Sequence, residues 1–166
     1  MRWMLRCWLL LGGLLLAGCS GLSVGGPTPV PTPPPGLTPA EQAYFTTVQS
    51  QVARLNAALA PLDAQGGAGK EGDGYRNALV RALPEIRTIV AEAAQLQAPP
   101  RFAGLDSGYK RAIAHFQSAA TLAQQGAALG AESAVEHSAD ELARGRAALN
   151  TVAAQLASPL TPAPTP

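Results

Sequence analysis

Apolar residues recur at alternating spacings of three and four over most of the chain beyond Thr38. That spacing keeps them on one face of an α-helix. The first stripe runs Phe45, Val48, Val52, Leu55, Leu59, Leu62. Ahead of it, Thr38-Pro39-Ala40-Glu41 reads as a helix start. Thr38 caps, Pro39 is tolerated as the first helical residue, and Glu41 closes a capping box. Pro61 marks the expected end of this helix. A second stripe, Leu79, Leu83, Ile86, Val90 and Ala93, lies in a helix from about Tyr75 to Gln97. It keeps phase across Pro84, which predicts a kink rather than a break. A third stripe, from Phe102 through Leu105, Tyr109, Ala112, Phe116 and Ala119 to Ala123, begins near Arg101 and stops around Gly130. The fourth helix, from about Ala131 to Ala157, carries Val135, Ser138, Leu142, Gly145, Leu149, Val152 and Leu156.

No strand pattern interrupts these stripes. Four amphipathic helices with mostly short connections predict an all-α fold, an antiparallel up-down-up-down four-helix bundle over residues 38–158. The glycine-rich stretch 63–74 reads as a long loop. It leaves open a second architecture, a three-helix bundle with the first helix loosely docked. Alanine fills many inward positions, so helices can approach closely while burying little area, at ~25 cal/mol per Å². If the last two helices turn near Gly130, facing residues have numbers adding to about 260. Gly145 then lies beside His115 and Phe116, and its missing side chain makes room for the Phe116 ring.

The segments flanking the bundle differ in kind. Residues 20–37, SGLSVGGPTPVPTPPPGL, alternate proline with small and hydroxyl residues. Such a tract favours polyproline II and suits a disordered tether or stalk, reaching roughly 50 Å at ~3.1 Å per residue. Its Thr/Pro content also suits glycosylation. The Pro-rich tail 159–166 has the same character. At the other end, Met1 to Arg6 carries two positive charges and no acid, and an apolar run follows from Cys7 to Ala17. The run suits a signal-peptide core and falls short of the ~20 residues of a membrane span. The small residues Ala17 and Gly18 then precede Cys19.

Leu16-Ala17-Gly18-Cys19 resembles the lipobox of bacterial lipoproteins. The resemblance covers residues 1–19 only. It implies that the Cys19 thiol receives a diacylglyceryl group carrying fatty acyl chains such as palmitate. It also implies cleavage between Gly18 and Cys19, so that 1–18 is a signal peptide, and often acylation of the new amine. The implied location is the cell membrane or outer membrane, lipid-anchored and facing outside the cytoplasm. Ser20 after the cysteine resembles the outer-membrane pattern of proteobacteria.

Cleavage changes the composition that matters. The full chain has 12 basic and 11 acidic residues, and removing Arg2 and Arg6 leaves 10 basic against 11 acidic. Without a basic surplus, nucleic acid is not an expected partner. Cys7 leaves with the signal and Cys19 takes the lipid, so no disulfide can form within the mature chain. Trp3 and Trp8 leave too.

Candidate chemistry is sparse. Gly69-Lys70 suggests a phosphate loop, but Ala64 stands where glycine is needed, Glu71 where Ser or Thr is needed, and a helix precedes it. Asp63 and Asp73 miss the calcium-loop spacing. His137 and Glu141 share a face, but a di-metal bundle needs glutamate three before its histidines, and Ala134 and Ala112 stand there. The pair reads as a solvated i,i+4 contact. His115 and His137 would sit ~12 Å apart along the axis, too far for one haem iron. Glu85 and Glu92, alternating with Arg81 and Arg87, look like a solvated charged face. No nucleophile–base arrangement is readable.

No enzyme activity, cofactor or metal is therefore expected. The expected role is a membrane-anchored cell-envelope binding or structural module that meets an envelope protein. The alternative is capture of a small apolar ligand in the bundle core. An interior cavity would favour capture, and a continuous exposed apolar patch would favour a protein partner.

Overall fold

The computed structural model describes residues 36–65 and 73–158. The tether to residue 35, the signal and lipobox, the middle of the glycine-rich loop and the 159–166 tail lie outside the described residues. Four helices follow one another: α1 (Pro39–Gln65), α2 (Asp73–Ala94), α3 (Ala103–Leu129) and α4 (Glu132–Ala157). No strand occurs among the described residues. The fold is an all-α four-helix bundle, as the stripes predict.

α1 begins on the predicted capping box. The Thr38 backbone N–H donates to Glu41 Oε2 at 2.8 Å, and the Glu41 N–H donates to Thr38 Oγ1 at 3.3 Å. Its end differs from expectation. The helix continues through Pro61 to Gln65. Proline removes one N–H, and the carbonyl it frees, on Ala57, is on an exposed residue where water can serve it. Leu62 just beyond is buried, which holds the last turn against the core. Likewise Leu37, assigned above to the tether, packs partly against the core.

α2 starts two residues earlier than expected and runs unbroken through the exposed Pro84 to Ala94. Its last turn tightens: Gln95 and Leu96 N–H groups donate to the carbonyls of Glu92 and Ala93. Pro99-Pro100 then yields a short 3₁₀ turn, Pro100–Phe102, rather than the start of α3. Phe102 is buried there, its ring centroid 5.3 Å from that of Tyr44 and 6.2 Å from that of Phe45. α3 ends at Gly130 in the left-handed conformation, φ 63°. Glycine adopts it without a Cβ clash, so the chain turns into α4 within two residues.

The direction of each helix follows from side-chain pairs. Arg54 on α1 reaches Glu85 and Glu92 on α2, Arg87 on α2 reaches Gln124 on α3, and Ser138 on α4 donates to the Ala119 carbonyl on α3. Tyr44 and Gln51 on α1 meet Asp106 and Tyr109 on α3, its parallel diagonal neighbour. The chain therefore runs up, down, up, down. The architecture with a loosely docked first helix does not hold. Phe45, Val48, Leu55 and Leu59 are at most 1% exposed and form one cluster with residues of the other three helices.

α3 and α4 form the closest pair, and two glycines show why. A Cβ on Gly145 would lie 3.1 Å from Phe116 Cε1 and Cζ, the large-against-small contact expected from the sequence. The second is Gly126, buried near the end of α3. A Cβ there would lie 2.9 Å from Val135 Cγ2 and 3.3 Å from the Val135 backbone nitrogen. Val135 is stiff at χ1 and its backbone cannot yield alone. Gly126→Ala gains ~1 kcal/mol of helix propensity and loses ~1–3 kcal/mol to overpacking. We expect a net loss of about 1 kcal/mol in denaturant unfolding. An alanine variant more stable than the parent would show that the crossing is not close.

Candidate functional site

Two polar clusters and the seam between α2 and α3 have chemical or binding capacity; further depressions lie beside Tyr75 and Arg146 and between α1 and α2 at Ala58 and Ala82. The first cluster ties α1, α2 and α3. Tyr109 is buried, and its hydroxyl donates to Gln51 Oε1 at 2.6 Å. Gln51, buried on α1, passes its amide to Glu92 Oε2 at 3.1 Å. Arg54 holds both α2 carboxylates, Nε to Glu85 and Nη1 to Glu92, each at 2.7 Å. Glu85 and Glu92 share a face, as their spacing suggests, but that face meets α1 rather than only water. Bonds from Arg54 and Gln51 hold the Glu92 carboxyl below the usual carboxylate range, while burial pushes the Tyr109 phenol up. Hydrogen bonds link the side chains in sequence from Tyr109 to Glu85, so the cluster latches the three helices together.

The second cluster corrects an expectation. Glu141 does not pair with His137, which is exposed. Its Oε2 meets His115 Nδ1 across the α3–α4 seam at 2.7 Å, and its Oε1 accepts from Arg144 at 2.7 Å. The seam supplies a partner closer than the next helical turn. The His115 hydrogen bond, first, and Arg144 lower the Glu141 pKa. Glu41 is lowered by the backbone N–H of Thr38.

These three glutamates set a sign for acid stability. A carboxyl with a folded pKa below its unfolded value, ~4.3, stabilises the fold above that pH. The contribution is lost as pH falls through the folded value. The melting temperature should therefore drop on acidification from about pH 5 to pH 3. Glu92→Gln should flatten part of that drop, and an unchanged acid profile in this variant would contradict the Arg54–Glu92 bond.

The groove runs along the seam of α2 and α3, which pack less closely than α3 and α4. At one end it is lined by Leu79, Val80, Leu83, Ala123 and Ala127. At the other it is lined by Val90, Ala94, Ile113, Ala114, Ala120 and Thr121. Both ends open to solvent, with the Arg87–Gln124 hydrogen bond crossing the seam between them, and Val80 is 58% exposed. Leu129, at the tip of the α3–α4 hairpin, is 78% exposed. Ala127 and Ala128 are exposed as well, so the bundle leaves part of the apolar surface of α3 uncovered.

No known protein family, curated protein or solved structure matches this chain.

Gly18 and Cys19 lie outside the described residues. Among the described residues, no three His, Cys, Asp or Glu side chains converge in a way that could hold a metal ion. Sequence reading missed the Gln51 latch and the groove. Gln51 had a signal: it lies three after Val48 and four before Leu55, an inward position where a polar side chain needs a buried partner. The groove had none, because it arises from the spacing between two helices.

Proposed function

We propose that this chain is a cell-envelope lipoprotein, anchored through Cys19 and exposed outside the cytoplasm, whose helical bundle binds another protein along the α2/α3 groove. The order of charge, apolar run, small residues and cysteine at residues 1–19 supports the anchor. One observation carries the binding role: two apolar depressions lie open on the surface along the same helix seam, rather than inside the core. An open groove leaves a small ligand largely in water, whereas a macromolecule covers it. The hydrogen-bonded polar clusters and the lack of any readable nucleophile–base pair support a non-enzymatic module.

A photo-reactive residue placed at Ala91 or Ala114, both exposed in the groove, tests the binding role in living cells. Adducts of defined mass are expected there and not at Ala60 or Asn150, exposed on α1 and α4. Adducts at all four positions alike, or at none, would reject the groove as the contact surface.

A further inference from the structure

Charge is sorted around α2. Its carboxylates Glu85 and Glu92 turn toward α1 and are held by Arg54. The side of α2 facing the groove carries Arg76 and Arg87, and α3 adds Lys110. Among the lining residues only Glu132, at one mouth, is acidic. It pairs with Arg76 at 2.8 Å, and Lys110 pairs with Asp106 at 2.7 Å. Arg87, near the middle, reaches across the seam to a neutral amide, Gln124 Oε1 at 2.7 Å. Arg76 Nε is buried with no acceptor. The apolar floor is thus bordered by three cations, of which Arg87 has no carboxylate partner among the described residues.

The form of the occupant follows from the backbone. The groove walls are helices with their own hydrogen bonds made, so they offer no ladder to an extended peptide, whose N–H and C=O groups would be stranded. A helix brings its backbone already satisfied. From Arg76 to Ala94 the seam that holds both depressions spans roughly 27 Å, the length of a helix of about 18 residues. The alanines at Ala91, Ala94, Ala114 and Ala127 allow close approach by small residues. A second copy of the same face would set Arg76, Arg87 and Lys110 against their own kind. A flat bilayer would not enter a concave seam.

We infer that the groove receives an amphipathic helix of a protein partner, with a stripe of small and medium apolar residues inward and carboxylates along its edges. The inference rests on the groove being the binding surface. Carboxylates on the occupant would meet the exposed side chains of Arg87 and Lys110 directly.

The test uses the full chain carrying Cys19→Ser and three fluorescent 18-residue peptides, read by anisotropy. Two share an Ala/Leu stripe at helical spacing, flanked by Glu in one and by Lys in the other. The third has the Glu peptide's composition with the stripe scrambled. The Glu-flanked peptide should bind at least about tenfold tighter than either of the others, as expected for cooperating charge contacts at a rim. Arg87→Glu with Lys110→Glu should invert the order of the Glu and Lys peptides. Because Lys110 also contacts Asp106, Arg87→Gln alone serves as the milder variant and should weaken the Glu peptide several-fold without lowering the melting temperature. No binding by the Glu-flanked peptide, equal binding of the scrambled one, or indifference to the Arg87 change would overturn the inference. So would phosphatidylglycerol vesicles that bind through Arg87 and Lys110 when the peptides do not. If the peptides fail while Ala114 still yields its specific adduct in cells, the helix inference falls and the groove remains the contact surface.

Discussion

Cys19→Ser is expected to move the protein from the membrane fraction to the soluble exported fraction. The expectation follows from what else could hold the chain to a bilayer. Among the described residues, no helix is long and apolar enough to cross a membrane. Without Arg2 and Arg6 the chain carries 10 basic against 11 acidic residues, so anionic lipids offer little attraction. The groove cations are three, two of them already paired. Acyl chains are a different order of effect, at ~0.8 kcal/mol per buried CH₂. One chain holds marginally, and two or three hold firmly. Removing the thiol removes the attachment point of the diacylglyceryl group and with it both of its acyl chains, so most of the attachment should be lost. A Ser variant that stays with the detergent phase as fully as the parent would mean that another part of the protein binds the membrane.

Gly145→Leu should destabilise the bundle by ~1–3 kcal/mol. Gly145 is buried on the inward stripe of α4, between Leu142 and Leu149. The Phe116 ring occupies the space its side chain would need, with three ring carbons within 3.2 Å of a hypothetical Cβ. Phe116 is itself 0% exposed, so its ring has no solvent side to swing into. A single methyl could be met by a small shift of the ring, offset by the ~1 kcal/mol that alanine gains over glycine in a helix. Leucine adds three further carbons and cannot be met that way. Phe116→Ala alone should cost ~3–5 kcal/mol through the cavity it leaves. In the double variant the leucine partly fills that cavity, so the loss should be smaller than the two single losses added together. Strict additivity in the double-mutant cycle would show that the two side chains do not meet.

The elements and their order were legible because each helix carries its own stripe. The capping box at Thr38, the stop around Gly130 and the contact of Gly145 with Phe116 could all be read from the sequence. The last followed from one turn position, which sets the register of two antiparallel helices. What could not be read depended on pairs of helices whose register no short turn sets. Glu85 and Glu92 show a shared face in the sequence, but Arg54 becomes their partner only once α1 lies beside α2. Glu141 had a candidate partner one turn away in His137, and the seam supplied His115 instead. Pro61 was read as a terminator because local chemistry argues for one, whereas burial of Leu62 beyond it carried the helix on. The α2/α3 groove is a consequence of how far two helices stand apart, and no single stripe encodes that distance.

The placement of this bundle on a lipid is tested most directly by the intact mass of the protein extracted from membranes of its host. The account predicts a chain that begins at Cys19 and exceeds the mass of residues 19–166 by a diacylglyceryl group, with or without a further amide-linked acyl chain. A chain that still carries residues 1–18, or one that begins elsewhere with an unmodified Cys19 thiol, would contradict it.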